Sequence, residues 1–282
     1  MTMQAAMLPD GRRLHLNHGP IDLIIEAFGG ADQVRAAYGQ AERRFDDILP
    51  VLVAELAALR TPVAAPRWHP EGPVARRMMA AVWPHRARFI TPMAAVAGAV
   101  ADEVLAALVA GRTLARAYVN NGGDIAFHLA PGESLTAAMV GGDDPGTARL
   151  TFGMPVRGIA TSGWKGRSFS LGIADSVTVL AADAASADVA ATLIANAVDV
   201  DHPAIGRTPA TALDPDSDLA MRAVTVSVPP LDGKSVAAAL DAGARAALKL
   251  EQTGHIRAAM LVLQQQHRVV GAATGLIGRR AA

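Results

Sequence analysis

The chain has 282 residues, of which 51% are hydrophobic and only 4% aromatic, so it can bury a large core built mainly from small aliphatic side chains. Lysine plus arginine and aspartate plus glutamate both total 26, and this balance excludes bulk attraction to nucleic acid or to an anionic membrane. The chain has no cysteine, which excludes disulfides, thiolate metal sites and thiol catalysis.

The N-terminal part of the chain is predicted to combine two strands with apolar helices. The strands cover residues 12–18 and 21–27, and the predicted helices cover residues 32–47, 51–59 and 93–110. Residues 60–73 contain four prolines and are predicted to form a loop.

The rest of the chain is predicted to be a meander of short strands followed by two helices. Strands are expected at residues 115–121, 125–129, 135–140, 148–153, 176–181, 223–228, 260–263 and 268–272. A glycine-punctuated polar turn covers residues 161–167, and residues 199–218 are rich in loop signals. One helix is expected from about Ser186 and a longer one over residues 234–253. Because strands do not alternate regularly with helices, we expect an α+β fold of antiparallel sheets flanked by helices.

The N-terminus favours a cytoplasmic protein. The first residues contain no apolar run and no cleavage site, so we expect no export signal. The most apolar stretch, residues 93–109, is short for a membrane span and carries Asp102 and Glu103. We therefore expect no membrane segment.

Residues 67–88 form a basic segment with two interpretations. Five arginines are accompanied by a single acidic residue, Glu71. They could receive a phosphate, with Trp68 or Trp83 stacking on a ring. The alternative, which we favour slightly, is a solvated helix face carrying two half-buried tryptophans.

Asp188 and Thr192 are the candidate metal ligands. They stand four residues apart on the predicted helix, which places a carboxylate and a hydroxyl on one face. Hard oxygen ligands suit magnesium, but a single carboxylate and one hydroxyl are too few alone. On spacing alone we favour the alternative, in which Ser186 is the N-cap and Asp188 merely stabilises the first helical turn.

Several motifs, taken in chain order, resemble one known family. They are the residues at 91–98 (TPMAAVAG), 121–125 (NGGDI), 161–163 (TSG), 174–179 (ADSVTV), 187–192 (ADVAAT) and 194–196 (IAN). This order is similar to the ApbE-like protein family labelled UPF two-eighty, which is related to the ApbE flavin transferases. Those transferases bind FAD, use magnesium and move FMN onto a threonine. The resemblance implies an ApbE-like, T-fold-like architecture over residues 1–282 as one domain, with a possible subdivision near residues 60–90.

The resemblance also assigns roles to individual residues. Asp188, Thr192 and the backbone carbonyl of Ala94 would hold magnesium. The nucleotide pocket would be lined by Ala94, Asn121, Gly122, Gly123, Thr161, Ser162, Gly163 and Arg167. Lys165 or Arg167 would contact phosphate, and Asp124 or Asp175 would orient the nucleophile. The turn at residues 121–124 could equally be a hairpin turn without function.

Departures from the transferases leave three functions open. Thr91 stands where they carry an aspartate, and their His…Asp-Pro-x-Thr-Gly segment has no counterpart between Gly163 and Ala174. The favoured expectation is a magnesium-dependent enzyme of flavin or related cofactor metabolism that performs FMN transfer or FAD pyrophosphate cleavage. A homodimer is the expected assembly. The alternatives are a flavin- or pterin-binding accessory protein of one-carbon or nicotinate metabolism, and an inactive scaffold.

Overall fold

A computed structural model describes residues 2–138 and 147–271, together with the backbone of residues 277–278. Its helices and antiparallel strands confirm the predicted α+β class. Contacts divide the chain into two compact units. The first holds the described residues of Met1–Leu135, Thr151–Ile159 and Ala182–Asp188, and the second holds those of Thr136–Leu150, Ala160–Ala181 and Val189–Ala282. The expectation of one domain stays a prediction.

The first unit is built on an antiparallel sheet of consecutive strands. These are β1 (Gln4–Met7), β2 (Leu14–His18), β3 (Ile21–Gly29), β4 (Leu114–Asn121) and β5 (Asp124–Leu129), which lie in that order. In β2, Leu14 and Leu16 are buried while the residues between them are half-exposed, as expected for a sheet with one covered face. Strand β1 was not predicted, because its side chains are all exposed and give no apolar alternation.

Five helices precede β4. They are α1 (Ala31–Phe45), α2 (Ile48–Ala54), α3 (Leu56–Leu59), α4 (Pro73–Val82) and α5 (Val96–Val109). The single helix predicted over residues 51–59 is wrong in detail, since the chain starts a new helix after Glu55. A 3-10 turn, Pro92–Ala95, leads into α5, and α5 packs on both β4 and β5. Its face is unusually rich in alanine, which lets it approach other backbones closely.

The second unit contains the remaining strands and most of the last helices. Its elements are β6 (Ser134–Ala138), β7 (Thr147–Thr151), β8 (Gly158–Ser162), β9 (Ser176–Ala181), α6 (Ala184–Ala197), β10 (Gly206–Pro209), α7 (Ala210–Leu213), β11 (Ala223–Ser227), α8 (Gly233–Gln252), β12 (Ala258–Leu263), β13 (Gln266–Gly271) and β14 (Ile277–Gly278). Within it the strand order is β8-β9-β12-β13, and β14-β7-β6 form a small sheet. The first residues of β6, β8 and α6 and the last of β7 belong to the first unit.

Two predictions in this part of the chain need correction. The polar turn expected over residues 161–167 begins only at Gly163, because Thr161 and Ser162 end strand β8. The loop expected over residues 199–218 contains β10 and α7. The strand at residues 176–181 is confirmed, and all six of its residues are buried. The end of the strand expected at residues 135–140 lies outside the described residues.

The predicted absence of a membrane-length helix is also revised. Pro92–Val109 is long and apolar enough to cross a membrane by length and composition, with 18 residues and a mean hydropathy of 1.7. Because 44% of this segment is buried inside the protein, as in an ordinary core helix, the signal is weak evidence for a span.

Candidate functional site

Asp188 lies against the N-terminal end of α5. It is the fifth residue of α6, and its Oδ2 accepts a hydrogen bond from the Gly98 amide at 3.1 Å. The Ala97 amide donates to the same carboxylate. These are among the first amides of α5, which have no partner within that helix and carry its positive dipole end. A carboxylate seated there is stabilised by the start of a neighbouring helix.

The prediction that Ser186 is the N-cap of this helix and that Asp188 lies in its first turn is therefore wrong. Helix α6 begins at Ala184 rather than Ser186, and Asp183 is the residue that caps it. The Ser186 amide donates to Asp183 Oδ1 at 2.7 Å, and the Ala187 amide donates to the Asp183 carbonyl at 3.1 Å. Asp188 lies beyond the first turn and caps α5 instead.

Asp102 performs the reciprocal task for α6. Its Oδ1 accepts from the Ala184 amide at 3.0 Å and its Oδ2 accepts from the Ala185 amide at 2.9 Å. Each helix thus carries an acid that binds the first amides of the other. Sequence reasoning missed Asp102 as a site residue, because a capping partner 82 positions away leaves no local pattern.

The two helix starts touch through backbone atoms. A Cβ added at Gly98 would lie 2.2 Å from the Ala184 carbonyl oxygen and 2.7 Å from the Ala185 nitrogen. One added at Gly158, at the start of β8, would lie 2.1 Å from the Asp183 carbonyl. Only glycine fits at either position, because the obstructing atoms are backbone and cannot rotate away. This close approach is what brings Asp188 within reach of α5.

Burial and a neighbouring acid set the pKa of Asp188. Removal from water, followed by the charge of Asp124, raises the pKa of Asp188 well above its ordinary value, and the Gly98 and Ala97 amides act in the opposite direction. No lysine or arginine is among the groups that chiefly set this pKa. As a whole residue, Asp188 is half-buried. Burial also raises the pKa of Asp102, to about 6, against the effect of the Ala185 and Ala184 amides.

The turn at Asn121–Asp124 adjoins the same helix start. Asn121 Nδ2 donates to the Ala97 carbonyl at 3.0 Å, and Asn121 pairs with Asp124 across the hairpin between β4 and β5. Gly122 and Gly123 have φ of 65° and 113°, so the turn requires glycine. The structure therefore brings the predicted residues Asn121, Asp124 and Asp188 to the start of α5. The pocket-lining roles of Asn121, Gly122 and Gly123 stay predictions.

Ala94 lies in the 3-10 turn immediately before α5. Its amide donates to the carbonyl of Thr91, which is buried, at 3.2 Å. Across residues 2–138 and 147–271, no three acidic or histidine side chains cluster in a way that could hold a metal ion. A metal at Asp188 would thus need backbone, hydroxyl, water or ligand oxygens as further ligands. The use of the Ala94 carbonyl stays a prediction.

In the second unit, Asp175 joins three chain segments. Its Oδ1 accepts from Lys165 Nζ at 2.8 Å and from Trp164 Nε1 at 3.2 Å, while its Oδ2 accepts from the Gln264 amide at 2.7 Å. Gly163 packs beneath this cluster, with a Cβ position only 2.5 Å from the Asp175 carbonyl oxygen. Two of the predicted catalytic groups, Lys165 and Asp175, are therefore paired with each other. Their catalytic roles stay predictions.

The other predicted residues of the second unit are more dispersed. Thr161 Oγ1 lies 2.9 Å from Thr178 Oγ1 on the neighbouring strand, and Ser162 ends β8. Arg167 is exposed, and Thr192 is half-buried on α6. Their assignments as pocket or metal residues stay predictions.

The basic segment at residues 67–88 contains helix α4, which buries Val74, Met78 and Val82. The guanidinium carbons of Arg67 and Arg86 lie 5.2 Å and 4.6 Å from the Trp83 ring centroid. Because cations already contact this ring, the arrangement favours the solvated helix face over stacking on a ligand.

The fold and the site define an α+β protein in which Asp188 and Asp124 lie near the start of one helix, and comparisons then identify its family. A family model described as "AbpE bacteria" matches residues 5–269. The chain belongs to this family, which confirms the predicted ApbE-like resemblance. It is 38% identical to a UPF0280 protein of Methanopyrus kandleri over 181 residues, which cover 63% of this chain and 69% of that protein.

Other relatives match a smaller segment. A UPF0280 protein of Methanothermobacter thermautotrophicus is 40% identical over 131 residues, which cover 45% of this chain and 49% of that protein. The matched segment thus spans about half of this relative's length. Among solved structures, the apo form of Pseudomonas stutzeri flavinyl transferase ApbE aligns with 100% of this chain and 99% of its own, at a TM-score of 0.46 and 12% identity.

Proposed function

We propose that the chain is a magnesium-dependent enzyme of flavin or related cofactor metabolism that acts on the pyrophosphate of FAD or a similar nucleotide. The observation that carries the proposal is the Asp188 carboxylate, which accepts hydrogen bonds from the first amides of α5 and lies within the electrostatic reach of Asp124. Magnesium in nucleotide-binding sites is held by one or two carboxylates, with substrate phosphates and water completing its coordination. Family membership and the ordered motifs support the same assignment.

The donor set fits magnesium. The carboxylate of Asp188 has four lone-pair sites, of which the Gly98 and Ala97 amides use only part, so oxygen atoms remain for a cation. The Ala94 carbonyl would be a second protein ligand, and Thr192 is the predicted hydroxyl ligand. When bound, magnesium would neutralise the pyrophosphate and its leaving group.

The chain's own groups would position the nucleotide and the nucleophile. Gly122 lies in a tight turn of the kind that binds phosphate oxygens, whereas the Gly123 amide donates to Asn120 Oδ1 at 2.8 Å. Asp124 would accept the proton of the attacking hydroxyl. Cleavage would break the bond between the phosphates, release AMP and pass FMN to an oxygen of water or of a protein hydroxyl. Localisation in the cytoplasm and a homodimer stay predictions.

The test measures FAD binding by calorimetry in magnesium and in EDTA, with FMN and AMP followed by chromatography. The Asp188→Asn variant keeps an oxygen that can accept from Gly98 but loses the charge. We expect it to lose the magnesium-dependent part of FAD affinity by at least about tenfold, equivalent to about 1.4 kcal/mol. Asp216→Asn, on an exposed loop, is the matched control and should change nothing. Equal FAD binding by the unmodified chain in EDTA would refute the proposal.

A second candidate is a flavin- or pterin-binding accessory protein. It is favoured by the ion pair between Lys165 and Asp175, which engages two groups expected to act in catalysis. In that case FAD or a pterin would bind with saturation, and no FMN or AMP would form on prolonged incubation with magnesium.

A further inference from the structure

The hairpin turn between β12 and β13 is strained. Its two central residues, Gln264 and Gln265, have φ of 45° and 67°, a region that L side chains other than asparagine and aspartate rarely adopt. The strand ladder closes around them, since Leu263 pairs with Gln266. A two-residue turn with both φ positive is normally built from Asn-Gly or Asp-Gly, so a pair of glutamines there stores strain. Strained residues persist only where their surroundings fix them, and they cluster at functional sites.

The surroundings fix Gln264 through both its side chain and its backbone. Its Nε2 donates to the Pro229 carbonyl at 2.7 Å, and its Oε1 accepts from the Leu231 amide at 2.9 Å. These two contacts define the orientation of the side-chain amide, because a carbonyl only accepts and a backbone amide only donates. The backbone amide of Gln264 donates to Asp175 Oδ2 at 2.7 Å. The turn is therefore held where its amide meets Asp175.

Asp175 passes this constraint to two side chains of the preceding loop. Its Oδ2 is engaged by the turn, and its Oδ1 accepts from Lys165 Nζ at 2.8 Å and from Trp164 Nε1 at 3.2 Å. The backbone of Asp175 is fixed as well, because its amide donates to the Val262 carbonyl at 2.9 Å. Trp164 is anchored by its own amide, which donates to the Ala174 carbonyl at 3.0 Å. One carboxylate thus orients both side chains.

Lys165 is ordered although it is exposed. Its side chain keeps 59% of its surface open to solvent, while the side chain of Asp175 keeps 18%. Its Nζ lies 5.7 Å from the centroid of the Trp164 ring, which the same carboxylate orients. An exposed lysine samples many rotamers, and ordering it when a ligand binds lowers the affinity. Here the fold has ordered the lysine beforehand, and an ammonium with three donors can contact Asp175 and still donate to an oxyanion.

We infer that Asp175 is a positioning residue for Lys165, and that Lys165 is the group that contacts the phosphate of the ligand. The strained turn supplies the amide that engages Oδ2 of Asp175 and leaves Oδ1 to the lysine. The inference rests on the proposed function, which gives the lysine a phosphate-bearing ligand. It selects Lys165 rather than Arg167 as the phosphate contact, because Asp175 and Trp164 order the lysine.

The test compares FMN with riboflavin, which share a ring system and differ by the phosphate. Binding is measured by fluorescence titration in EDTA, so that no divalent ion contributes. We expect FMN to bind at least about tenfold more tightly than riboflavin, and Lys165→Gln to remove this preference without changing the affinity for riboflavin. A general loss of structure would instead weaken both ligands. Lys249→Gln, which removes an exposed lysine of α8, is the matched control.

A double-mutant cycle tests whether Asp175 acts through Lys165. Asp175→Asn keeps one oxygen, which can face the Gln264 amide or Lys165 but cannot occupy both positions. We expect it to weaken FMN binding by roughly two- to tenfold, the range expected when one lysine side chain must be ordered on binding. In the Lys165→Gln background the same change should have no further effect on FMN. Gln264→Gly keeps the backbone amide and suits a positive φ but removes the side-chain contacts, and should weaken FMN binding to a smaller extent.

The inference is overturned if FMN binds no better than riboflavin, if the effects of Asp175→Asn and Lys165→Gln add, or if Arg167→Gln or Lys249→Gln removes the phosphate preference equally. Tighter FMN binding by Asp175→Asn would also overturn it, because the carboxylate would then compete with the phosphate for the ammonium. The proposed function fails by a different result, namely FAD binding that does not respond to magnesium. That result leaves the comparison of FMN with riboflavin in EDTA unchanged.

Discussion

Replacement of Gly98 by alanine tests how the candidate site is held together. The added Cβ would lie 2.2 Å from the Ala184 carbonyl oxygen and 2.4 Å from its carbon. Ordinary van der Waals contact for a Cβ begins at 3.4 Å, so the start of α5 must separate from the start of α6 by about 1 Å. Neither obstructing atom can move by a rotamer change, because both belong to the backbone.

The cost follows from the hydrogen bonds that cross this contact. The bonds from Gly98 to Asp188 and from Ala184 and Ala185 to Asp102 measure 2.9 to 3.1 Å and would stretch beyond hydrogen-bonding range. Bonds to charged groups are worth about 1.5–3 kcal/mol each, and helix propensity returns about 1 kcal/mol on replacing glycine by alanine. Allowing for partial relaxation, we expect a net loss of about 4 kcal/mol in the free energy of unfolding, which is a large part of the stability of a typical domain.

Urea denaturation followed by circular dichroism measures this loss. The matched control is Gly39→Ala on α1, where the nearest atom to an added Cβ is the flexible end of Arg43 at 3.3 Å. That change should be neutral or stabilising by up to about 1 kcal/mol. If Gly98→Ala unfolds at the same urea concentration as Gly39→Ala, the two helix starts are not in backbone contact and the described origin of the site is wrong.

Three further predictions concern single side chains. The pKa of Asp102 is about 6 in the folded chain and 3.8 in the unfolded chain, so the contribution of Asp102 to stability is complete below pH 3.8 and is lost as the pH rises through 6. The free energy involved is about 3 kcal/mol. The Asp102→Asn variant should therefore lose less stability to urea than the parent chain does between pH 4 and 7. An equal pH dependence in that variant would contradict the raised pKa. Asp175→Ala should lower the free energy of unfolding by about 1–3 kcal/mol in the same assay, because it leaves the Gln264 amide without an acceptor. Lys165→Gln should lower it by under about 1 kcal/mol, because that ammonium is exposed. Equal losses in the two variants would contradict this explanation. Asn121→Asp removes a donor beside α5 and adds a negative charge, and should destabilise by about 1–3 kcal/mol; a variant as stable as the parent chain would refute the reasoning.

The regular elements could be predicted where the apolar pattern is strong. Strand β9 has six buried residues and was located without error, and α8 was located within a residue because its Asp232 cap and its apolar stripe are local signals. Strand β8 could not be separated from the glycine-rich turn that follows it, since only five residues form the strand. The start of α6 was misplaced because Ser186 and Asp183 are both good caps, and only tertiary contacts select between them.

A motif singled out Asp188 as a candidate site residue, but the contacts of Asp188 could not be predicted. Its partner amides lie 90 positions earlier in the sequence, at a helix start whose only visible sign is a run of small residues. The sequence shows that residues 94–101 permit a close approach and does not show to what.

A helix-capping role and a metal-binding role of Asp188 are compatible. The Gly98 amide fixes Oδ2 and so sets the direction in which the remaining lone pairs of the carboxylate point. A carboxylate oriented in this way loses little conformational freedom when it binds a cation, because the fold has already ordered it. Asp188→Ala removes the acceptor as well as the charge, whereas Asp188→Asn removes the charge alone. A stability loss confined to the alanine variant, together with lost magnesium response in both, would show that one carboxylate serves the helix start and the ion at the same time.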